Sequence, residues 1–324
     1  MLRIDRCMRL KNVDESGCFH LMSRTVGGRD LFGSVEREVL RKMIWQVAQF
    51  SGLQVLTYAI MKNHFHLLVK CPADEEVSDE ELVRRFRILY PKSTPWQPVS
   101  ADFLERILRQ NGHEAAEWRS RLHERMHDIS WLMRTIKQRF TRWYNRIADS
   151  YGTVWADRFK SVRVEGDHLA LRTVAAYIDL NAVRAGLVDD PKDYRFCGYG
   201  EALGGGKLAR AGLHVIDPDI AGYRQTLYGY GSGSKVGKCA IPREEAVRVL
   251  EEEKGKLPIS VILRCRVRYF SDGIVIGSPE FVRKCREEEK GNGAGIHKAR
   301  AHPMEGADWG GLAVGTGLRK DRFG

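Results

Sequence analysis

The chain has 324 residues, 43% apolar and 29% charged, with only 10 prolines, a composition that can bury a proper core and excludes an intrinsically disordered chain. Lys and Arg exceed Asp and Glu by 11, which favours a polyanionic partner such as nucleic acid and says nothing about fold. There is no run of about 18 apolar residues, and Met1-Leu-Arg-Ile-Asp-Arg-Cys lacks the apolar stretch of a signal peptide, so neither a membrane span nor secretion is expected.

No internal repeat marks a solenoid or propeller. Phe19 to Thr25 reads as a strand closed by the turn signal Gly27-Gly28, and Val35 to Gln49 as a helix with apolar Val39, Leu40, Met43, Ile44 and Val47 on one face. Val55 to Met61 and His64 to Lys70, separated by Lys62-Asn63, read as a hairpin. Residues 71–128 carry Pro91, Pro95 and Pro98 and a weaker period, and read as a partly helical insertion. From Ile129 the apolar residues Leu132, Met133, Ile136, Phe140, Trp143, Tyr144 and Ile147 fall within about a third of a helical turn, with Arg134, Lys137, Arg142 and Arg146 outside that arc. Phe159 to Val164 has strand character, and Asp167 caps a helix predicted to run to Arg184, with Gly186 just past its end. Cys7, Cys18, Cys71, Cys197, Cys239, Cys265 and Cys285 are odd in number and include no C-x-x-C pair, which fits a reduced, cytoplasmic chain without a zinc cage.

The sharpest local feature is His64-Phe65-His66. Strand alternation puts both imidazoles on one face while Phe65, Leu67 and Val69 point to the other. Two such histidines can grip one cation, although a solvated strand face with no ligand is the plainer reading until a third donor is found. Tyr177 and Asn181, at i and i+4, offer one, since an Asn carbonyl oxygen can complete a two-histidine site beside an activated tyrosine; the alternative is an amphipathic core tyrosine and a helix-end asparagine. Tyr144 is the rival nucleophile, but its i+4 neighbour is Ala148, which cannot bind metal.

Met61-Lys-Asn-His-Phe-His-Leu-Leu68, Ser130 to Arg146, Trp155-Ala-Asp-Arg-Phe-Lys-Ser161 and Tyr177-Ile-Asp-Leu-Asn-Ala-Val-Arg-Ala-Gly186 together resemble the REP-associated tyrosine transposases of the single-tyrosine HUH transposase and endonuclease superfamily, in consistent order from about Arg3 to Leu203. The resemblance implies an α+β, ferredoxin-like antiparallel sheet with helices packed on one face. It implies His64, His66 and Asn181 as ligands of a divalent cation, Mg²⁺ or Mn²⁺, and Tyr177 as the nucleophile that cuts single-stranded or hairpin DNA through a 5′-phosphotyrosine. A protein that keeps the fold but only binds repeat DNA, and a nuclease using water, are the alternatives. Ala182 stands where many relatives have proline, a departure expected to alter the helix locally without removing a ligand.

DNA contacts are expected from Arg134, Lys137, Arg142, Arg146, Arg158, Lys160 and Arg163, because residues 119–163 hold eleven Lys or Arg against four acids. Trp143 reads as core, whereas Trp155 is a candidate for stacking on bases. The expected organisation is a catalytic domain over 1–203 with the insertion at 71–128, a Gly-rich linker at 204–240, an accessory, mainly helical module at 241–289 that binds DNA or docks, and a mobile tail at 290–324. A cytoplasmic, nucleoid-associated protein is expected, with a homodimer left open.

Overall fold

The computed structural model describes residues 16–73, 76–95, 97–228, 257–264, 267–291 and 301–315. Its framework is built from β1 (Gly17–Arg24), α1 (Ser34–Ser51), β2 (Gln54–Ile60) and β3 (His64–Cys71). The insertion contributes α2 (Asp79–Leu89), α3 (Ala101–Gln110) and α4 (His113–His123), followed by α5 (Ile129–Ile147) and β4 (Lys160–Val164). These four strands lie in the order β2-β3-β1-β4, each antiparallel to its neighbours. With α1 between β1 and β2 and α5 before β4, this is the ferredoxin-like α+β arrangement.

Alternation along the strands explains the layering. Phe65, on one face of β3, meets Trp155 at 5.5 Å, and Trp155 in turn packs on Phe140 of α5 and on Phe32. Helices α1 and α5 pack together on this face, and form the helix layer the resemblance implied. The other face is covered too, by α6 (His168–Asp179) and by α9 (Lys207–Ile216), both against β2. A second helix layer was not part of the expectation; it arises because β2 and β3 carry buried residues on both faces, Thr57, Ala59, His66 and Leu68 opposite Tyr58, Ile60, Phe65 and Leu67.

Local signals account for the ends of the helices. Ser78, Ser100, Asp128 and Asp167 accept backbone N–H groups at the starts of α2, α3, α5 and α6. Gly27 and Gly28, with φ of 64° and 67°, form the turn after β1 that few other residues could adopt. In the insertion, Leu82, Phe86, Leu104, Leu108 and Leu122 are buried, and α2 packs on α1, so residues 76–128 extend the core as a helical layer.

The helix predicted from Asp167 to Arg184 is interrupted at Leu180: α6 ends at Asp179 and a short α7 (Asn181–Arg184) follows. Asp179 is fully buried at this junction. Its carboxylate accepts the hydroxyl of Thr57 in β2 at 2.7 Å, the Tyr199 N–H of α8 (Gly198–Leu203) at 3.2 Å, and the hydroxyl of Tyr223 in α10 (Ile220–Tyr228) at 2.6 Å. Burial pushes its pKa up to about 6, against the pull of those three donors.

The C-terminal half departs from the expected organisation. Residues 204–228, taken as the start of a linker, are folded as α9 and α10, because their glycines serve close packing: a Cβ at Gly212 would lie 2.4 Å from the Val55 carbonyl oxygen of β2. The rest of that linker and residues 241–256 of the expected accessory module lie outside the described residues. Beyond them come α11 (Ile259–Ile262), α12 (Tyr269–Asp272), β5 (Val275–Gly277) and α13 (Pro279–Gly291), then β6 (Ala301–Pro303) and β7 (Ala313–Gly315).

This part is no separate module, since β5 pairs parallel to β4 and the sheet continues as β5-β7-β6. Residues 301–315, expected within a mobile tail, are strands and connections whose Trp309, Leu312 and Val314 are buried. The partner of Val275 is Gly315, 40 positions away, a pairing that local periodicity does not reveal. Among the described residues no helix is long and apolar enough to cross a membrane.

Replacing Tyr223 by Phe strips Asp179 of one donor while keeping the ring. The expected result is a loss of about 1–3 kcal/mol in unfolding free energy by urea denaturation; an unchanged midpoint would show that the carboxylate finds another partner.

Candidate active site

His20 of β1 and His64 and His66 of β3 share one sheet face, because Met22 pairs with His66 and Arg24 with His64. The break between α6 and α7 lies over that face. Tyr177 and Asn181 therefore reach the same cavity as His64 and His66, a space of about 540 Å³ also lined by Arg24, Arg158, Lys160 and Arg184. The four residues singled out for chemistry are brought together although 111 positions separate His66 from Tyr177.

Each is held by neighbours. His64 Nδ1 lies 2.7 Å from Asn63 Oδ1, and Asn63 Nδ2 donates to the Gly28 carbonyl at 2.8 Å. His66 is buried, with Nδ1 2.8 Å from Nε2 of the fully buried His20. Burial drives the His66 imidazole well below its ordinary range, helped by the neighbouring His20, His64, Arg184 and Arg24, and burial likewise lowers His20 to about 3. Both rings are thus neutral at neutral pH, the form that offers a nitrogen lone pair. Asn181 is 8% exposed, and its Nδ2 has no hydrogen-bond partner.

Tyr177 is only 4% exposed. Its ring stacks on Phe270 at 4.4 Å, and the Arg184 guanidinium lies 4.0 Å from the ring centre. Arg184 also donates to the Tyr177 carbonyl at 2.8 Å and to the Leu263 carbonyl at 2.7 Å. The C-terminal segment thus packs against the tyrosine, and it supplies Arg264, Ser271 and Asp272 to the cavity wall. Tyr144 lies elsewhere, stacked on Phe140.

The donor set fits a hard divalent cation. Among the described residues no group of three His, Cys, Asp or Glu side chains is placed to hold a metal, and the Asn181 carboxamide is one oxygen donor of another kind that shares the cavity with His64 and His66. An asparagine with an unsatisfied buried amide atom is suited to that part once its oxygen is turned inward.

The basic residues divide into two groups. Arg134, Lys137, Arg142 and Arg158 line a groove of about 1100 Å³ along α5, and Ala156, Asp157 and Arg158 are common to this groove and the cavity. Lys160 stands on the cavity wall, paired with Asp272 at 2.8 Å, and Arg146 is exposed beyond the residues that line the groove.

Two candidates are corrected. Arg163 is 6% exposed and bonded to Glu288 of α13 at 2.8 Å, so its charge ties the C-terminal helix to the sheet. Trp155 is 5% exposed, packed among Phe32, Phe65 and Phe140, with its indole N–H donated to the Lys137 carbonyl at 3.1 Å, so no ring face is offered to a base. Sequence reasoning missed His20, Asp179 and Phe270. The period-2 series His20, Met22, Arg24 carried a signal for the first, but its strand partner did not show.

Residues 15–89 match the family described as Transposase IS200 like. No curated protein matches the chain. A solved structure titled "Structure of the REP associates tyrosine transposase bound to a REP hairpin" is similar at 15% identity, over 61% of this chain and 86% of that one, with a TM-score of 0.39, too loose a likeness to carry an argument. The segment from β1 to α2, which bears the histidine pair, is thus similar to IS200-like transposases, in agreement with the resemblance to REP-associated tyrosine transposases carried by the four motifs.

Proposed function

We propose that the chain is a metal-dependent endonuclease and strand transferase acting on single-stranded or hairpin DNA, with Tyr177 as nucleophile. The observation that carries this reading is the convergence of His64, His66, Tyr177 and Asn181 on one cavity that adjoins a basic groove. His64, His66 and Asn181 would hold Mg²⁺ or Mn²⁺, which when bound polarises a phosphate and withdraws charge from its oxygens.

The Tyr177 oxygen forms a bond to the scissile phosphorus as the P–O3′ bond breaks. The phenol gives up its proton and the departing 3′ oxygen takes one, so the products are a 5′-phosphotyrosine and a free 3′-OH. One phosphodiester bond is exchanged for another, and a second 3′-OH can reverse the step and join strands. Arg184 holds the tyrosine through its carbonyl and its ring. Arg24, Arg158 and Lys160 supply positive charge on the cavity wall for the phosphodiester backbone.

Metal-free incubation, or Tyr177→Phe, His64→Ala or Asn181→Ala with Mn²⁺ present, should abolish a covalent protein–DNA adduct that the unaltered protein forms with labelled hairpin DNA on a denaturing gel. Cleavage without an adduct would instead identify water as nucleophile. A second reading, a repeat-DNA-binding protein that does not cut, is favoured by one observation, the burial of Tyr177 under Phe270; it predicts binding with no cleavage under any metal.

The groove generates its own expectation. Replacing Arg134 and Arg142 together by Ala should reduce the slope of log K against log salt for single-stranded DNA by about 1.4, at about 0.7 per phosphate contact. An unchanged slope in a filter-binding titration would remove the groove from the DNA path.

A further inference from the structure

The C-terminal wall of the cavity carries hydrogen-bond donors that the fold itself does not use. Arg264 and Ser271 both line the cavity, and among the described residues neither Arg264 Nε nor Ser271 Oγ, although buried, has a hydrogen-bond partner. A buried donor is costly to leave unmet, so two of them on one wall call for a ligand that accepts from both.

Their place beside the tyrosine follows from their neighbours in sequence. Phe270, one residue before Ser271, stacks on the Tyr177 ring at 4.4 Å. Leu263, one residue before Arg264, accepts from Arg184 at 2.7 Å, and that guanidinium lies 4.0 Å from the centre of the same ring. Both donors are thus carried to the tyrosine by the segment that packs on it.

The charge of the lining selects the ligand. Arg24, Arg158, Lys160, Arg184 and Arg264 line the cavity against Asp157 and Asp272. Asp272, the acid on the C-terminal wall, is already matched by Lys160 at 2.8 Å and by Arg268 at 3.8 Å. Unmet donors in a cationic cavity suit an oxyanion, and a phosphodiester offers two oxygens that can each accept.

We propose that Arg264 and Ser271 form a phosphate subsite that seats the phosphodiester next to the one Tyr177 attacks, so that the C-terminal segment is part of the DNA-binding site. Arg264 contributes charge and Ser271 a hydrogen bond; both position the strand and neither touches the reacting atoms. The identity of the occupant rests on the strand-transfer reading above, whereas the unmet donors do not.

Fluorescence anisotropy with a labelled single-stranded oligonucleotide, in the presence of a chelator, reads the subsite apart from metal and from cleavage. Ser271→Ala should weaken binding about tenfold with the salt dependence unchanged, because a neutral donor is lost. Arg264→Met should also weaken it and lower the slope of log K against log salt by about 0.7, the share of one phosphate contact. Removing an unmet hydroxyl should leave the thermal midpoint unchanged or raise it, so lower affinity without lower stability in Ser271→Ala separates a ligand contact from a structural role.

DNA affinity unmoved in either variant would overturn the subsite, as would a gain in affinity or in covalent adduct, the result expected if the C-terminal segment only obstructs Tyr177. A free phosphate ion has the same chemistry, so inorganic phosphate is titrated calorimetrically in parallel. Phosphate binding that Ser271→Ala abolishes while DNA affinity stays the same would assign the donors to the free ion and also overturn the proposal. If the variants lose DNA affinity as expected but the unaltered protein forms no adduct with hairpin DNA and Mn²⁺, the subsite stands and the strand-transfer reading falls.

Discussion

One buried carboxylate holds α6, the helix that carries Tyr177, to the sheet. Asp179 stands between Tyr177 and Asn181 in sequence, and accepts donors from β2, α8 and α10. A charge taken out of water is tolerated only where its lone pairs are met, so the site requires all three elements in place. Because Thr57 belongs to the strand beside β3, the same carboxylate sets where the tyrosine helix crosses the sheet, and so how Tyr177 and Asn181 face His64 and His66. The interruption at Leu180 falls where Asp179 turns inward and Asn181 turns towards the cavity.

The cavity is a joint product of distant parts of the chain. Its floor is the His face of β1 and β3, and one wall is the α6–α7 junction. Another wall is the C-terminal segment, which reaches the site because β5 extends the sheet from β4 and Arg163 is paired with Glu288 of α13. Phe270, Arg264, Ser271 and Asp272 are carried there by that sheet extension. Basic charge follows the same plan: α5 turns its apolar arc to the core and leaves Arg134 and Arg142 along a groove that opens onto the cavity through Arg158.

The sequence could be misread at three places for one physical reason. Gly204-Gly-Gly206 and its surroundings suggested a linker, yet Gly212 is there because α9 lies directly on the β2 backbone. Trp155 sits in a basic run, yet three aromatic rings enclose it. Arg163 is one charge among many in sequence and has a buried, ion-paired position in the fold. Composition records what a residue can do, and contacts across the chain decide which of those capacities is used.

The sequence by itself determined the strands and most of the helices of the first half, the His64 and His66 pair, and the Tyr177 and Asn181 pair. Period 2 around His64 and His66, period 3.6 along residues 129–147, and the cap at Asp167 are local signals, written in neighbouring residues. Only the tertiary structure decided that His20 backs His66, that Asp179 anchors the tyrosine helix, that Phe270 packs on Tyr177, and that residues 301–315 complete the sheet. Those facts depend on strand register and on burial between segments far apart in the chain, where a shift of one residue would send each side chain to the opposite face.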